Sequence, residues 1–167
     1  MQKNIVGVVM GSDSDWEVMR KAVDILTELN IATEVRIISA HRTPHEAATY
    51  ASSAQERGLA AIVAGAGRAA HLPGVLASYT LLPVIGVPIS GGPLSGTDAL
   101  YAMVQMPPGV PVATMAIDGA LNAGLFAASI IAGTDSAVAN ALHAYRDNMA
   151  AKVRQKDALL QQQLGRC

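Results

Sequence analysis

Aromatic side chains and cysteines are scarce in this sequence. Of its 167 residues, 4% are Phe, Trp or Tyr, and Cys167 is the single cysteine. One cysteine cannot form an internal disulfide, and a thiol at the last position is a poor candidate for a positioned nucleophile. We therefore expect a cytoplasmic protein from a reducing compartment. The lack of clustered aromatics also argues against binding of single-stranded RNA.

Charge and long apolar runs are limited as well. Charged residues make up 15% of the chain, the formal net charge is −1, and there is no run of Lys and Arg. Such a chain has no basic field to attract a nucleic acid, so we predict no nucleic-acid partner. No segment has 18 apolar residues without polar interruption, so we predict no membrane association.

What the chain does contain is aliphatic residues in alternating patterns. Hydrophobic residues account for 51% of the sequence. Strand-like β-branched or apolar runs at 5–10, 33–39, 59–64, 83–89 and 112–117 alternate with helical patterns. This alternation predicts an α/β fold, a flavodoxin-like doubly wound three-layer sandwich with a five-stranded parallel sheet. We expect residues 1–167 to form a single catalytic domain.

Two helices have distinct sequence signals. Thr43 and Glu46 have the spacing of a capping box and Pro44 suits the first helical position, so a helix should begin there and end at Gly58. A long helix over 136–163 should close the chain. Because it is long for this architecture, we expect it to pack on a neighbouring subunit.

The loop after the first strand, at 11–15, is rich in hydroxyl and carboxylate groups. Ser12 and Ser14 offer hydroxyls at a helix start, which suits a phosphate, and Asp15 could accept hydrogen bonds from a ribose diol. Helix capping by Ser12, Asp13 or Ser14 explains the same residues without a ligand.

The loop after the second strand contains Ser39, His41 and Arg42 before the Pro44 helix. A guanidinium beside a helix N-terminus is a plausible phosphate ligand, and an imidazole can exchange protons near neutral pH. His41 could instead only stabilise the loop. A metal site with His45 is disfavoured, since Pro44 separates the two imidazoles onto different faces.

The loop at 65–74 matches a loose dinucleotide fingerprint, from Gly65 through Gly67 to Ala70. It follows the third strand rather than the first, and no acid lies about 20 residues on, so an oxidoreductase is disfavoured. The better interpretation is a glycine loop whose N–H groups bind an anion, with His71 close by. Segments 90–96 and 105–107 could form a partly mobile cover.

Several motifs in register resemble one enzyme family. They are Gly11-Ser12-x-Ser14-Asp15-Trp16, Ser39-Ala40-His41-Arg42-Thr43-Pro44, Ala64-Gly65-Ala66-Gly67, Ala69-Ala70-His71-Leu72-Pro73-Gly74 and Gln105-Met106-Pro107. Over roughly the first 130 residues the chain resembles N5-carboxyaminoimidazole ribonucleotide mutases, bacterial enzymes of purine biosynthesis.

This resemblance implies an isomerase that moves a carboxylate from the exocyclic nitrogen to ring carbon 4, with no metal and no organic cofactor. It implies a homo-octamer and functional coupling to an ATP-dependent synthetase that makes the carbamate substrate. The catalytic residue would be His41. The substrate-binding residues would be Ser12, Ser14, Asp15, Ser39, Arg42, Gly67, His71 and Leu72.

Two positions depart from the family pattern. Arg68 stands where the family usually has glycine, and we expect its side chain to point to solvent. The segment from Asp118 to Asn122 is about two residues shorter than usual, which leaves that loop without a family assignment.

Two alternatives stay open at this point. A sister group of aminoimidazole ribonucleotide carboxylases uses carbon dioxide directly on the same fold, but it carries lysine and lacks proline in the histidine motif, unlike Arg42 and Pro44 here. A flavodoxin-like nucleotide-binding module without catalysis would need no imidazole at His41.

Overall fold

The structure is a computed structural model that describes residues 4–165, so Cys167 lies outside the described residues. Five parallel strands form one sheet in the order β2-β1-β3-β4-β5. Their bounds are β1 Ile5–Met10, β2 Ala32–Ile37, β3 Leu59–Gly67, β4 Val84–Ile89 and β5 Ala113–Thr114. The predicted five-stranded parallel sheet is confirmed.

Helices cover both faces of the sheet, as predicted for a doubly wound fold. Their bounds are α1 Trp16–Glu28, α2 Pro44–Ser53, α3 Leu72–Ala77, α4 Thr97–Val104, α5 Ala120–Ala132 and α6 Ser136–Gln163. Val6 and Val8 of β1 are buried in the core formed with α1, α5 and α6. Val9 is buried in the core formed with α2, α3 and α4. Adjacent residues of β1 are therefore buried on opposite faces of the sheet, which is why its sequence is a continuous apolar run.

The strand ends differ from the predicted ones at three places. β3 continues to Gly67, which pairs with Ile89 of β4, so the first glycines of the third loop belong to the sheet. β2 ends at Ile37 rather than at residue 39. β5 has only two residues, although the Asp118 N–H still donates to the carbonyl of Pro88 at 2.8 Å. After Thr114 the chain therefore continues beside β4 as far as Asp118, but without the regular hydrogen bonds of a strand.

The predicted capping box at the start of α2 is wrong, although the helix does begin at Pro44. Thr43 makes no capping bond, because its hydroxyl accepts from the Ser39 N–H at 3.0 Å and donates to the Ser39 carbonyl at 3.1 Å. The threonine thus closes the loop that precedes the helix instead of capping it. The helix ends at Ser53, and turns lead on to Gly58, whose φ is 84°.

The last helix, α6, has the predicted bounds and only partly packs on this chain. Val138 and Leu142 are buried, and Tyr145 packs against the same core. Met149 and Val153, farther along the same helix, are 53% and 66% exposed. Among the helices within residues 4–165, none combines the length and the apolar character needed to cross a bilayer.

Candidate active site

A cavity of about 710 Å³ lies at the carboxyl ends of the strands. Four loops line it, those that follow β1, β2, β3 and β4. β2 lies on one side of β1 and β3 lies on the other, so successive strands are added in opposite directions from β1. Open parallel sheets bind ligands beside such a switch point. Of the predicted site residues, those that line the cavity are Ser12, Ser14, Asp15, Ser39, His41, Arg42, Gly67 and Leu72.

The loop after β1 presents a cluster of hydroxyl groups. The Ser14 hydroxyl donates to Ser12 Oγ at 3.0 Å, and the Ser14 N–H contacts the same oxygen at 3.3 Å. Ser12 therefore caps the short 3-10 turn over Asp13–Asp15, as the simpler interpretation predicted. The same hydroxyls face the cavity, so capping and ligand binding are compatible here.

Asp15 is a nearly buried carboxylate in this cluster. It is 9% exposed, and desolvation by burial raises its pKa above the ordinary aspartate value. Hydrogen bonds from the Ser14 side chain and from the backbone at Ser12 oppose that rise. A carboxylate with so little water around it is suited to accept hydrogen bonds from ligand hydroxyl groups.

Arg42 ties the loop after β2 to the loop after β1. Its Nη2 donates to the Gly11 carbonyl at 3.3 Å, and its Nε donates to Ser39 Oγ at 3.3 Å. The Arg42 backbone N–H also donates to Ser39 Oγ, at 3.2 Å. In the part of the chain that the structure describes, no carboxylate forms an ion pair with this guanidinium. Its charge is therefore available to an anionic ligand.

His41 contacts a second histidine. Its Nε2 lies 2.8 Å from Nδ1 of His71, and the two rings meet edge to face with an interplanar angle of 76°. Each imidazole is exposed, and His71 itself is outside the set of lining residues. A hydrogen bond between two imidazoles needs one N–H and one bare nitrogen, so the contact holds one shared proton. The pair can therefore act as one proton donor and acceptor.

The loop after β4 forms one wall of the cavity. The sequence predicted this loop only as a possible cover over the site. Ser90, Gly91 and Gly92 line the cavity together with Ile89. The Ser90 N–H donates to Oδ1 of Asp118 at 2.8 Å. Asp118 was not a predicted site residue, and the shortened segment before Asn122 was the only signal that pointed to it. Gln105 and Met106, the other predicted cover, are not among the lining residues.

Arg68 also lines the cavity. Its backbone φ is 54°, in the left-handed region that glycine adopts freely. The side chain is exposed, as expected, but it lies beside Gly92 on the cavity wall. The exposure agrees with the expectation that this side chain points to solvent, and the structure adds that it borders the cavity.

Fold and cavity together define a flavodoxin-like protein with an open cavity at its sheet switch point, lined in part by polar side chains. A family model described as AIR carboxylase matches residues 5–152. The chain belongs to this family.

Curated relatives are similar over nearly the whole chain. A protein named N5-carboxyaminoimidazole ribonucleotide mutase in Mycobacterium leprae is 55% identical over 96% of this chain and 94% of its own. Proteins of the same name are 54% identical in Bacillus subtilis, over 86% and 90% of the two chains, and 51% identical in Pyrococcus horikoshii, over 96% and 91%.

Solved structures show the same fold. The crystal structure of Treponema denticola PurE superposes with a TM-score of 0.86 at 27% identity, over 94% of this chain and 98% of that one. A PurE2 variant from that organism gives a TM-score of 0.87 at 26% identity, over 95% and 98%. The flavodoxin-like prediction is confirmed by these similarities.

Proposed function

We propose that this protein is a mutase that converts N5-carboxyaminoimidazole ribonucleotide into 4-carboxy-5-aminoimidazole ribonucleotide, a step in the biosynthesis of IMP. One observation carries the proposal. His41, whose imidazole contacts that of His71, lines a cavity together with Arg42, which forms no ion pair within residues 4–165, in a chain about half identical to proteins of that name. Residues 1–167 would act as one catalytic domain.

The nucleotide part of the substrate fits the two loops that Arg42 joins. Three hydroxyls, those of Ser12, Ser14 and Ser39, lie in the same cavity as the Arg42 guanidinium. Hydroxyls and a guanidinium form strong hydrogen bonds to a phosphate. Asp15 would accept from the ribose hydroxyls. The loop with Gly67, His71 and Leu72 would surround the migrating carboxylate.

His41 would move one proton in each direction. Donation of a proton to the exocyclic nitrogen allows its bond to the carboxylate carbon to break, which releases carbon dioxide and aminoimidazole ribonucleotide. Ring carbon 4 then attacks carbon dioxide, and His41 takes the proton that carbon 4 loses. The proton given equals the proton recovered, so the isomerisation is balanced without any further reactant.

Carbon dioxide has to stay beside the ring between the two steps. A walled cavity keeps it at high effective concentration, so recapture competes with escape. Leu72, which is 2% exposed, and Ile89, which is 5% exposed, give the cavity an apolar wall suited to a neutral gas.

The test is a spectrophotometric assay of purified protein with N5-carboxyaminoimidazole ribonucleotide and no added bicarbonate, with His41→Asn as the control. We expect turnover by the wild type and its loss in the variant, with nucleotide binding retained. Turnover only from aminoimidazole ribonucleotide and bicarbonate would instead identify a carboxylase. Binding without turnover under either condition would identify a non-catalytic module.

We also propose that the protein acts in the cytoplasm as a homo-octamer in which α6 packs on a neighbouring subunit. The exposed apolar residues Met149 and Val153 on α6 and Phe126 on α5 support burial by another copy. Sedimentation velocity distinguishes an octamer from smaller species. Because the carbamate substrate is labile, we expect functional coupling to the ATP-dependent synthetase that produces it, which a coupled assay with both enzymes would detect.

A further inference from the structure

Arg68 places a second positive charge on the cavity wall. Its side chain is part of the lining. Within residues 4–165 it forms no ion pair and no side-chain hydrogen bond, whereas Arg42 is hydrogen-bonded to Ser39 and Gly11. A guanidinium at a binding cavity without a protein partner can give its full set of donors to an anionic ligand.

The backbone at Arg68 is strained for a residue with a side chain. A φ of 54° brings Cβ close to the following carbonyl, a conformation that glycine adopts without cost. Conformations of this kind persist where the surroundings determine them, and they concentrate at ligand sites.

Gly92 directs the Arg68 side chain along the wall. A Cβ atom at Gly92 would lie 3.3 Å from Nε and 3.7 Å from Cγ of Arg68. The arginine thus spans from the loop after β3 to the loop after β4, in space that a side chain at residue 92 would restrict. The Arg68 side chain thus lies along the cavity wall beside Gly92, although it is exposed to solvent.

We propose that Arg68 binds the carboxylate group that migrates during the reaction, an inference that rests on the proposed function. The substrate has two anionic groups, a phosphate and a carboxylate, and the cavity has two guanidinium groups on different loops. Arg42 lies among the hydroxyls that suit the phosphate. Arg68 directly follows Gly67 and shares its loop with His71, on the side proposed for the carboxylate.

The proposal predicts that Arg68 affects the binding of substrate and not the rate of the chemical step. The guanidinium stabilises the carboxylate in the substrate and in the product, and to a similar extent in the transition states between them, where the group keeps much of its negative charge. Such an interaction lowers KM without lowering the barrier of the chemical step. Loss of Arg68 should therefore raise KM and leave kcat nearly unchanged.

The experiment compares Arg68→Gly, Arg68→Lys and wild type with two ligands. Arg68→Gly removes the charge and also relieves the backbone strain, so it should fold at least as well, as its thermal unfolding will show. We expect about a 10-fold rise in its KM and in its Kd for the 4-carboxy product, with kcat within about two-fold. Its Kd for aminoimidazole ribonucleotide, which keeps the phosphate but lacks the carboxylate, should change less than about two-fold, as judged by calorimetry. The KM and the product Kd of Arg68→Lys should lie between those of wild type and Arg68→Gly, because lysine keeps the charge without the planar fork.

A matched control is Arg20→Ala, which removes an exposed arginine of α1 outside the cavity lining. It should bind both ligands like the wild type. An equal loss of affinity for both ligands in Arg68→Gly would overturn the proposal in favour of a phosphate contact, and unchanged affinity for both would overturn it outright. If the wild type itself does not turn over N5-carboxyaminoimidazole ribonucleotide, the proposed function fails first. If it does, a negative result at Arg68 rejects only this inference.

Discussion

Nε2 of His41 and Nδ1 of His71 lie 2.8 Å apart although 30 residues separate them in the chain. The first histidine follows β2 and the second follows β3, and both strands flank β1 in the sheet. Parallel strands bring their carboxyl ends to one edge, so the two loops meet there. At this distance a hydrogen bond can join the two imidazoles.

The coupling of the two imidazoles predicts different effects of the two asparagine variants. His41→Asn should lower kcat by at least about 100-fold, since a general acid and base contributes 10²–10⁴-fold. His71→Asn should lower kcat by only about 10-fold, because an amide can still donate to or accept from His41 but cannot share its proton. Steady-state kinetics with the carbamate substrate measures both. Equal losses in the two variants would contradict this division of roles.

Asp15 should decrease stability at neutral pH, because burial raises its pKa above the value in the unfolded chain. Between those two pKa values the folded state binds more protons than the unfolded state, so stability falls as the pH rises through that range. At pH 7 Asp15→Asn should therefore unfold at a higher temperature, by about 2–4 °C for each kcal/mol recovered. The same variant should bind the nucleotide more weakly, since it loses a charged acceptor.

The check is thermal unfolding of wild type and Asp15→Asn as a function of pH. The difference in Tm should shrink as the pH falls through the raised pKa, because the wild-type carboxyl then takes up its proton. A Tm for Asp15→Asn below that of wild type at pH 7 would show that the hydrogen bonds of Ser14 outweigh desolvation.

Asp118 should hold the cavity wall through its bond to the Ser90 N–H. Its φ of 57° is tolerated by asparagine and aspartate better than by alanine. Asp118→Asn keeps an acceptor and should cost less than about 0.5 kcal/mol, whereas Asp118→Ala loses the acceptor and adds strain, for a loss of about 2 kcal/mol. Asp118→Gly removes the strain but leaves the Ser90 N–H without its acceptor, so its stability should lie between those of Asp118→Asn and Asp118→Ala. Thermal unfolding gives the order, and a rise in KM for the glycine variant would report the loosened wall.

Gly124 should be required for the packing of α5 against α1. A Cβ there would lie 2.5 Å from Cγ2 of Ile25 and 3.0 Å from the Ala22 carbonyl oxygen. Alanine gains about 1 kcal/mol of helix propensity, but overpacking against a backbone atom costs about 1–3 kcal/mol, so Gly124→Ala should be less stable. Gly91→Ala is the control, since a Cβ at Gly91 meets no atom within 4 Å. A Tm for Gly124→Ala equal to that of the control would contradict the close helix contact.

Local signals were sufficient where an element depends on its own residues. The bounds of α6 match the predicted 136–163, because the helix has an extended helical pattern and Asp135 caps its first turn. The capping box of Thr43 failed because Ser39 competes for the same hydroxyl. A spacing rule states what a side chain can reach, and the folded loop decides which partner it takes.

The sequence by itself determined the layered α/β architecture and the polar composition of the loops after β1, β2 and β3, since strand periodicity and turn residues are encoded locally. Only the tertiary structure decided which of those side chains meet. Sheet order brings His41 to His71 and the Asp118 carboxylate to the Ser90 N–H, contacts across 30 and 28 residues. It also turns Arg68 along the cavity wall, because the space beside Gly92 exists only when the loops after β3 and β4 lie together. Contacts between distant segments depend on the packing of the whole sheet, and no local pattern contains that information.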